Sequence, residues 1–344
     1  HRLKAQMAHQ IMGNLPANRI TPSRPFSTTG IDYCGPFFTR QSKSRGNIST
    51  KSYICIFVCF STKAVHMELV EDLTAIAFLA ALKRFIARRG KPNIIHSDNA
   101  TNFAKASSDL KELYEILSSP SHQTNISSCL ANQGIQWEFI PPASPHFGAL
   151  WEAAVKSTKY HLRRVVGLTR LTYSELNTIV IQVESFLNSR PLTPLSSDPN
   201  DLSVLTPAHF LIGESLAAAP EQDLTDVKMN RLTRWQLVQQ LSQHIWSRWT
   251  REYLSSLQQR TKWKTTSSNL KIGTMVYIKD DNSTPLTWKL GRIIDLHPGS
   301  DGHIRVVSVK TSTGILKRTI TKLCPLPEDH TRAEDQQNES RKSF

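Results

Sequence analysis

The period of apolar and polar positions changes several times along this 344-residue chain, and each change predicts an element. Pro16, Pro22 and Pro25 keep the first 25 residues extended. FSTTGIDYCGPFFTR then predicts a strand around Gly30–Phe38. A polar loop, QSKSRGNIST, separates it from KSYICIFVCFST, a continuous apolar run of strand length. KAVHMELVED alternates at Val65, Met67 and Leu69, as a half-buried strand does. Short connections between these three strands predict an antiparallel meander.

From Thr74 the period becomes helical. Apolar residues recur at Ile76, Leu79, Leu82 and Ile86, Arg88 and Arg89 fall in the last turn, and Gly90 ends it. A short strand follows at Ile94–His96, a helix over 103–117, and a strand from Gly134 to Ile140 that Pro141 and Pro142 stop. Leu150–Val166 and Ser174–Leu187 read as amphipathic helices. The order β-β-β-α-β-α-β-α-α predicts an α/β fold, a mixed sheet flanked by helices. Residues 191–230, rich in Pro, Asp and Ser, read as a wrapping linker. A helical stretch over 231–262 carries Trp235, Trp246 and Trp249, with Trp263 just beyond, all read as packing residues. Over 270–327 the pattern alternates again between turn signals, which predicts a small β-barrel. The polar stretch 328–344 is expected to be disordered.

Composition narrows the class. No apolar run approaches the ~18–20 residues that span a bilayer, and no signal-peptide pattern opens the chain. The start at His1 reads as a fragment boundary or processing site. Cys34, Cys55, Cys59, Cys129 and Cys324 form no C-x-x-C pair, which argues against a disulfide framework or zinc site and for a reducing compartment. The net charge is +14, and residues 228–327 hold 17 basic against 5 acidic side chains, so one segment supplies +12 of it. Such a block points to a polyanion partner, most often nucleic acid.

Three carboxylates stand out by position. Asp32 lies in the first strand, Asp98 just past the fourth, and Glu152 in the first turn of the helix from Leu150. Each alone has an ordinary reading: a turn residue, a helix cap, a helix-dipole partner. Together they make a hard-oxygen set for Mg²⁺ or Mn²⁺, and two such ions serve in-line displacement at phosphorus. Glu152, Lys156, Lys159 and Arg163 share one helix face, which reads either as surface ion pairing or as a phosphate-contacting stripe. His66, His96 and His146 have no ligand spacing and read as core or hydrogen-bonding residues. Arg292, Arg305, Lys317 and Arg318, on barrel strands and turns, are candidates for gripping phosphates without reading bases.

The motifs PFSTTGIDYCGPF, KAVHMELVEDLTAIAFLAALKRFIARRGKP, SDNATNF, IPPASPHFGALWEAAVKSTKYHLRRV, ESFLNSRPLTPLSSDPNDLSVLTPAHFLIG and WSRWTREYLSSLQQRTKW…WKLGRIIDLHPGSDG run in this order from Pro25 to Gly302, within a likeness that covers roughly residues 12–327. Together they resemble the integrase of retroviruses and LTR retrotransposons, in detail the BEL/Pao group. The resemblance implies an RNase H-like core with a five-stranded mixed sheet over 26–190, the linker at 191–230, a helical segment at 231–264 and a basic SH3-like, DUF5641-like barrel at 268–327. It implies a DDE triad of Asp32, Asp98 and Glu152 holding Mg²⁺ or Mn²⁺, with 3′-end processing and strand transfer into target DNA as the activity. Lys156, Lys159 and Arg163 would lie along the element's DNA end, and a homo-oligomer would assemble on DNA, in the nucleus or an intracellular element particle. The interval between Asp98 and Glu152 is longer than in retroviral integrases, with the extra loop at about 118–133.

Three departures from that pattern matter. Ala100 and Ala149 stand where related sequences carry glycine, and alanine is strained at either site if φ is positive. A Cys/His zinc domain expected upstream is absent from the sequence. These departures motivate one rival, a catalytically impaired, element-derived DNA- or chromatin-binding protein. The other rival is an RNase H-type nuclease, against which the basic C-terminal segment argues.

Overall fold

The computed structural model of the chain describes residues 17–40, 49–97, 124, 134–139, 156, 158–167, 169–257, 270–280 and 283–327. Asp98, Glu152, Ala100, Ala149, His146, Cys129, Trp263, the 103–117 helix, the 118–133 loop and the 328–344 tail lie outside the described residues.

A four-residue helix, α1 (Ala17–Ile20), precedes β1 (Thr28–Arg40), β2 (Ser49–Cys59) and β3 (Val65–Val70). These strands form the expected meander, with Asp32 opposite Ile56 and Ile56 opposite Met67. β4 (Ile94–Ser97) lies parallel to β1, and β5 (Gln136–Phe139) parallel to β4, so the sheet runs β3-β2-β1-β4-β5. The two-residue β6 (Leu171–Thr172) pairs in parallel with the far end of β1. Gly35 sits at the register shift in β1 with φ +152, where a Cβ would come within 2.6 Å of the Tyr53 ring. No larger residue fits there.

Helix α2 (Ala75–Arg89) connects β3 to β4, and both of its ends are fixed by local chemistry. The Thr74 hydroxyl accepts the Ala77 N–H at 3.2 Å, Gly90 closes the helix at φ 86, and Arg24 donates to the Arg89 carbonyl at 2.9 Å. The buried stripe is Phe78, Ala81, Leu82 and Phe85. The sequence reading placed Ile76 in that stripe; the structure leaves it 80% exposed. The two phenylalanines win the contact: Phe85 stacks on Phe57 of β2 at 4.3 Å, and Phe78 packs edge-on to Trp137 of β5.

The other face of the sheet is covered by α3 (helical residues 158–166), α4 (Tyr173–Asn188) and α6 (Arg234–Leu257). Ile54, Ile56, Val58, Met67 and Leu69 meet Leu162, Ile179, Val183 and Trp246 there. Between α4 and α6 lie a two-strand pairing, β7 (Thr193–Pro194) with β8 (Val204–Leu205), and the short α5 (His209–Ile212). α6 spans Arg234–Leu257 and starts with a reciprocal cap: Thr233 accepts from Gln236 N–H, and Gln236 accepts from Thr233 N–H.

The C-terminal region is a five-stranded antiparallel sheet in the order β12-β11-β10-β9-β13. Its strands are β9 (Met275–Ile278), β10 (Leu290–Pro298), β11 (Ile304–Thr311), β12 (Gly314–Thr319) and β13 (Leu323–Pro325). One face packs Val276, Ile293, Val307 and Val309 together. On the other, Met275, Tyr277 and Cys324 meet Val204 and Leu202 of the 191–230 stretch and Leu254 of α6. Trp288 seals this junction, in edge or tilted contact with Trp246, Trp249, Tyr253 and Tyr277. Trp246 and Trp249 are therefore packing residues, whereas Trp235 is exposed. No helix among the described residues is long and apolar enough to cross a membrane.

Candidate active site

Asp32 is the one incompletely buried position between Thr29 and Gly35 on β1. Its partner Ile56 belongs to the core face under α3 and α4, so the carboxylate emerges on that side of the sheet. One oxygen, Oδ1, accepts the Tyr33 N–H at 2.6 Å. The other, Oδ2, lies 3.3 Å from Nζ of Lys159, which α3 brings across the sheet. One helical turn later, Arg163 donates to the Gly35 carbonyl at 2.7 Å. Two of the stripe cations thus face β1, while Lys156 is exposed one turn earlier.

These charges surround Cys34. Burial pushes its thiol up to about 12, against the pull of Lys159 and Arg163 and with the support of Asp32. A thiol held protonated is neither a nucleophile nor a metal ligand. The neighbouring strand β4 pairs with β1 from Thr28↔Ile94 to Ile31↔Ser97. The next residues in sequence are Asp32 and Asp98, the two candidate carboxylates. His96, opposite Gly30, stacks on Phe60 at 4.8 Å with Nδ1 3.4 Å from Glu138. Burial lowers its pKa, with Glu138 opposing, so the ring is neutral at pH 7.

Of the proposed triad, only Asp32 falls among the described residues. Those residues contain no cluster of three or more His, Cys, Asp or Glu side chains able to hold a metal. Asp32 suits a hard divalent ion as a donor: a partly solvent-open carboxylate whose charge a cation already balances.

His66 is confirmed as a core residue. It lies between Glu68 (Nε2–Oε1, 3.0 Å) and Glu184 (Nδ1–Oε2, 3.3 Å); Arg84 and Arg89 hold the outer oxygens, and Arg88 shares Oε1 of Glu68 with the ring. Sequence spacing gave no sign of this cluster, because Glu184 arrives from α4. A second contact missed by the sequence is His161 of α3, whose Nε2 lies 2.6 Å from Oε2 of Glu252 on α6.

The C-terminal cations separate. Arg292 is 5% exposed, and its guanidinium donates to the carbonyls of Gly273 (2.8 Å), Ser196 (3.0 Å) and Asp201 (2.9 Å). This corrects its assignment as a phosphate contact: it is an internal brace between the linker and the sheet. Arg305 is exposed but forms two bonds to Asp301, at 2.9 and 2.6 Å, in its own hairpin. Lys317 and Arg318 are both exposed on β12. Lys317 lies opposite Ser308 and Arg318 opposite Val307, so they face opposite sides of the sheet. A run of cations in sequence is thus not one flat basic face.

Residues 233–326 match a family of unknown function, DUF5641. Among curated proteins none matches the chain. Similar solved structures include the simian T-cell lymphotropic virus intasome in complex with PP2A regulatory subunit B56 gamma, at 13% identity and TM-score 0.38, covering 92% of this chain and 85% of that one. The catalytic core domain of BIV integrase is similar at 15% identity and TM-score 0.33, covering 55% of this chain and 95% of that one. These likenesses are too distant to transfer residue roles.

Proposed function

We propose that this chain is a retroelement integrase of BEL/Pao type: a metal-dependent polynucleotidyl transferase with an RNase H-like core and an SH3-like C-terminal domain. The observation that carries this reading is the meeting of Asp32, on the central strand of a β3-β2-β1-β4-β5 sheet, with Lys159 of α3 at 3.3 Å. In sequence, Glu152 lies seven residues before Lys159, on the same helical stripe. The ladder between β1 and β4 ends one residue short of Asp32 and Asp98.

Asp32, Asp98 and Glu152 would hold Mg²⁺ or Mn²⁺. When bound, such ions activate an attacking oxygen and stabilise the leaving one at phosphorus. The chain's own residues do the positioning. Lys156 and Lys159 place positive charge beside a scissile phosphate, and Arg163, anchored on Gly35, fixes the helix against β1. Lys317 and Arg318 each put an exposed positive charge, on opposite sides of the C-terminal sheet, within reach of DNA phosphate. Binding an element end and a target at once calls for more than one copy of the chain.

The test is joining of a short element-end duplex into plasmid with Mg²⁺ or Mn²⁺. Joining that Asp32→Asn and Asp98→Asn abolish supports the reading. DNA binding without joining favours the impaired, element-derived binding protein, and cutting without joining favours the nuclease.

A further inference from the structure

Lys159 does not point freely at solvent for a phosphate; it neutralises Asp32. Resting on the proposed metal site, we infer that Lys159 is an exchangeable counter-ion: it holds Asp32 until a divalent cation arrives, and is then released to grip DNA phosphate. Metal loading and DNA grip would be coupled through this one side chain.

The argument starts from charge. Asp32 sits in a strand that is otherwise buried from Thr29 to Gly35, and an uncompensated carboxylate there is unfavourable. The ammonium 3.3 Å away compensates it. A divalent ion coordinated by Asp32 would compensate it more strongly and would repel the ammonium at the same time. The two cations therefore compete for one carboxylate.

The geometry lets one of them leave. Lys159 reaches Asp32 through a flexible four-carbon stem, and its side chain is 24% exposed, so it swings outward without disturbing the core. Arg163 behaves differently. Its guanidinium holds a backbone carbonyl of β1, whose dipole does not vanish when a metal binds, so it keeps α3 in place. Lys156 is exposed on the same helix one turn away, so it supplies a matched control of equal charge.

Two measurements on the full chain test the exchange, neither needing catalysis. Calorimetric titration with Mg²⁺ gives metal affinity. Fluorescence anisotropy of a labelled duplex, in Ca²⁺ and in EDTA, gives the metal-dependent gain in DNA affinity. Lys159→Gln should tighten Mg²⁺ roughly tenfold, the scale of a pKa-type shift from one adjacent charge. It should also reduce the Ca²⁺-dependent gain to under about twofold, a size too small to count as coupling. Lys156→Gln should weaken DNA binding in both buffers while keeping the gain and leaving Mg²⁺ affinity nearly unchanged. Lys159→Met, which keeps the stem without the charge, should repeat the Lys159→Gln result. Unchanged Mg²⁺ affinity in both Lys159 variants, or a retained gain, overturns the exchange while leaving the metal site standing. If the wild type shows no Mg²⁺ binding that Asp32→Asn removes, the metal site itself fails, and the exchange with it.

Discussion

Glu184 of α4 accepts the backbone N–H of Met67 on β3 at 2.7 Å. Four residues on, Asn188 accepts from the Val65 N–H at 2.8 Å and donates to the Val65 carbonyl at 2.7 Å. Tyr173, at the start of the same helix, donates to the Leu69 carbonyl at 2.6 Å. β3 ends the sheet, so these backbone groups have no strand partner on that side. One helix supplies three side chains in place of a strand. The edge is closed to pairing with another chain, and α4 is fixed in register with the sheet.

Asn188→Ala should therefore destabilise the fold by about 2–4 kcal/mol, because it leaves a buried N–H and a buried C=O unpaired. Urea unfolding measures it. A loss below about 0.5 kcal/mol, the level of an ordinary surface change, would mean that water replaces the amide and the edge is not closed by α4.

The cluster around His66 predicts a stability window in pH. Burial pulls the His66 pKa down, but its bonds to Glu184 and Glu68 outweigh this and leave it above 6.5. Burial raises Glu68 and Glu184, yet His66 and the arginines leave both below 4.5. A raised histidine pKa contributes stability that is complete below 6.5 and is lost as pH rises through the folded value. Lowered carboxylate pKa values contribute above 4.5, and that share is lost as pH falls through the folded values. The stability advantage of wild type over His66→Gln should thus peak between pH 4.5 and 6.5 and shrink on both sides. An advantage that grows steadily from pH 6 to pH 9 would contradict a protonated His66.

Legibility in the sequence follows the range of the interactions. The signals for α2 lie within the helix: Thr74 caps it, Gly90 stops it, and the bounds match. The meander was readable because Val65, Met67 and Leu69 alternate against a continuous apolar β2. Which part of an apolar face wins the core was not readable, as Ile76 shows, because that depends on the partner Phe57. The charged residues fared worst. Arg292 looked like one more cation on a basic strand, yet Ser196 and Asp201 come to it from nearly a hundred residues earlier. Helical spacing puts Lys159 and Arg163 on one face, and both reach β1, but the attachment of Lys159 to Asp32 depends on the packing of α3 on that strand.

Arg292 and Lys317 should respond to mutation in opposite ways. Arg292→Met removes a buried guanidinium from three backbone carbonyls and should cost about 2–4 kcal/mol in urea unfolding. The variant that remains folded should keep the wild-type salt dependence of DNA binding. Lys317→Gln should leave stability nearly unchanged and lower the slope of log K against log salt by about 0.9, the share of one phosphate contact. If Arg292→Met lowers that slope while stability stays intact, Arg292 belongs on the DNA after all.

The boundary of the C-terminal unit should lie upstream of the DUF5641 match at 233–326. Val204 and Leu202 sit in the core that Met275, Tyr277 and Cys324 form with Leu254. The linker also supplies the Ser196 and Asp201 carbonyls to Arg292, and Asn200 bonds Lys310. Further contacts run from Ser189 to Trp288, from Pro191 to Tyr253 and from Thr193 to Pro327. A fragment covering 233–327 would lose all of these and expose the apolar surface that Val204 covers. Burying one such side chain is worth about 1.5–3 kcal/mol, a large share of a small domain's stability. A fragment covering 189–327 should therefore unfold cooperatively and bind little of a hydrophobic dye, whereas 233–327 should bind the dye strongly and melt lower or without cooperativity. Val204→Ala in the longer fragment should move it part of the way toward the shorter one. Equal melting of the two fragments would show that the 191–230 stretch only rests on the sheet, and that the boundary falls where the family match begins.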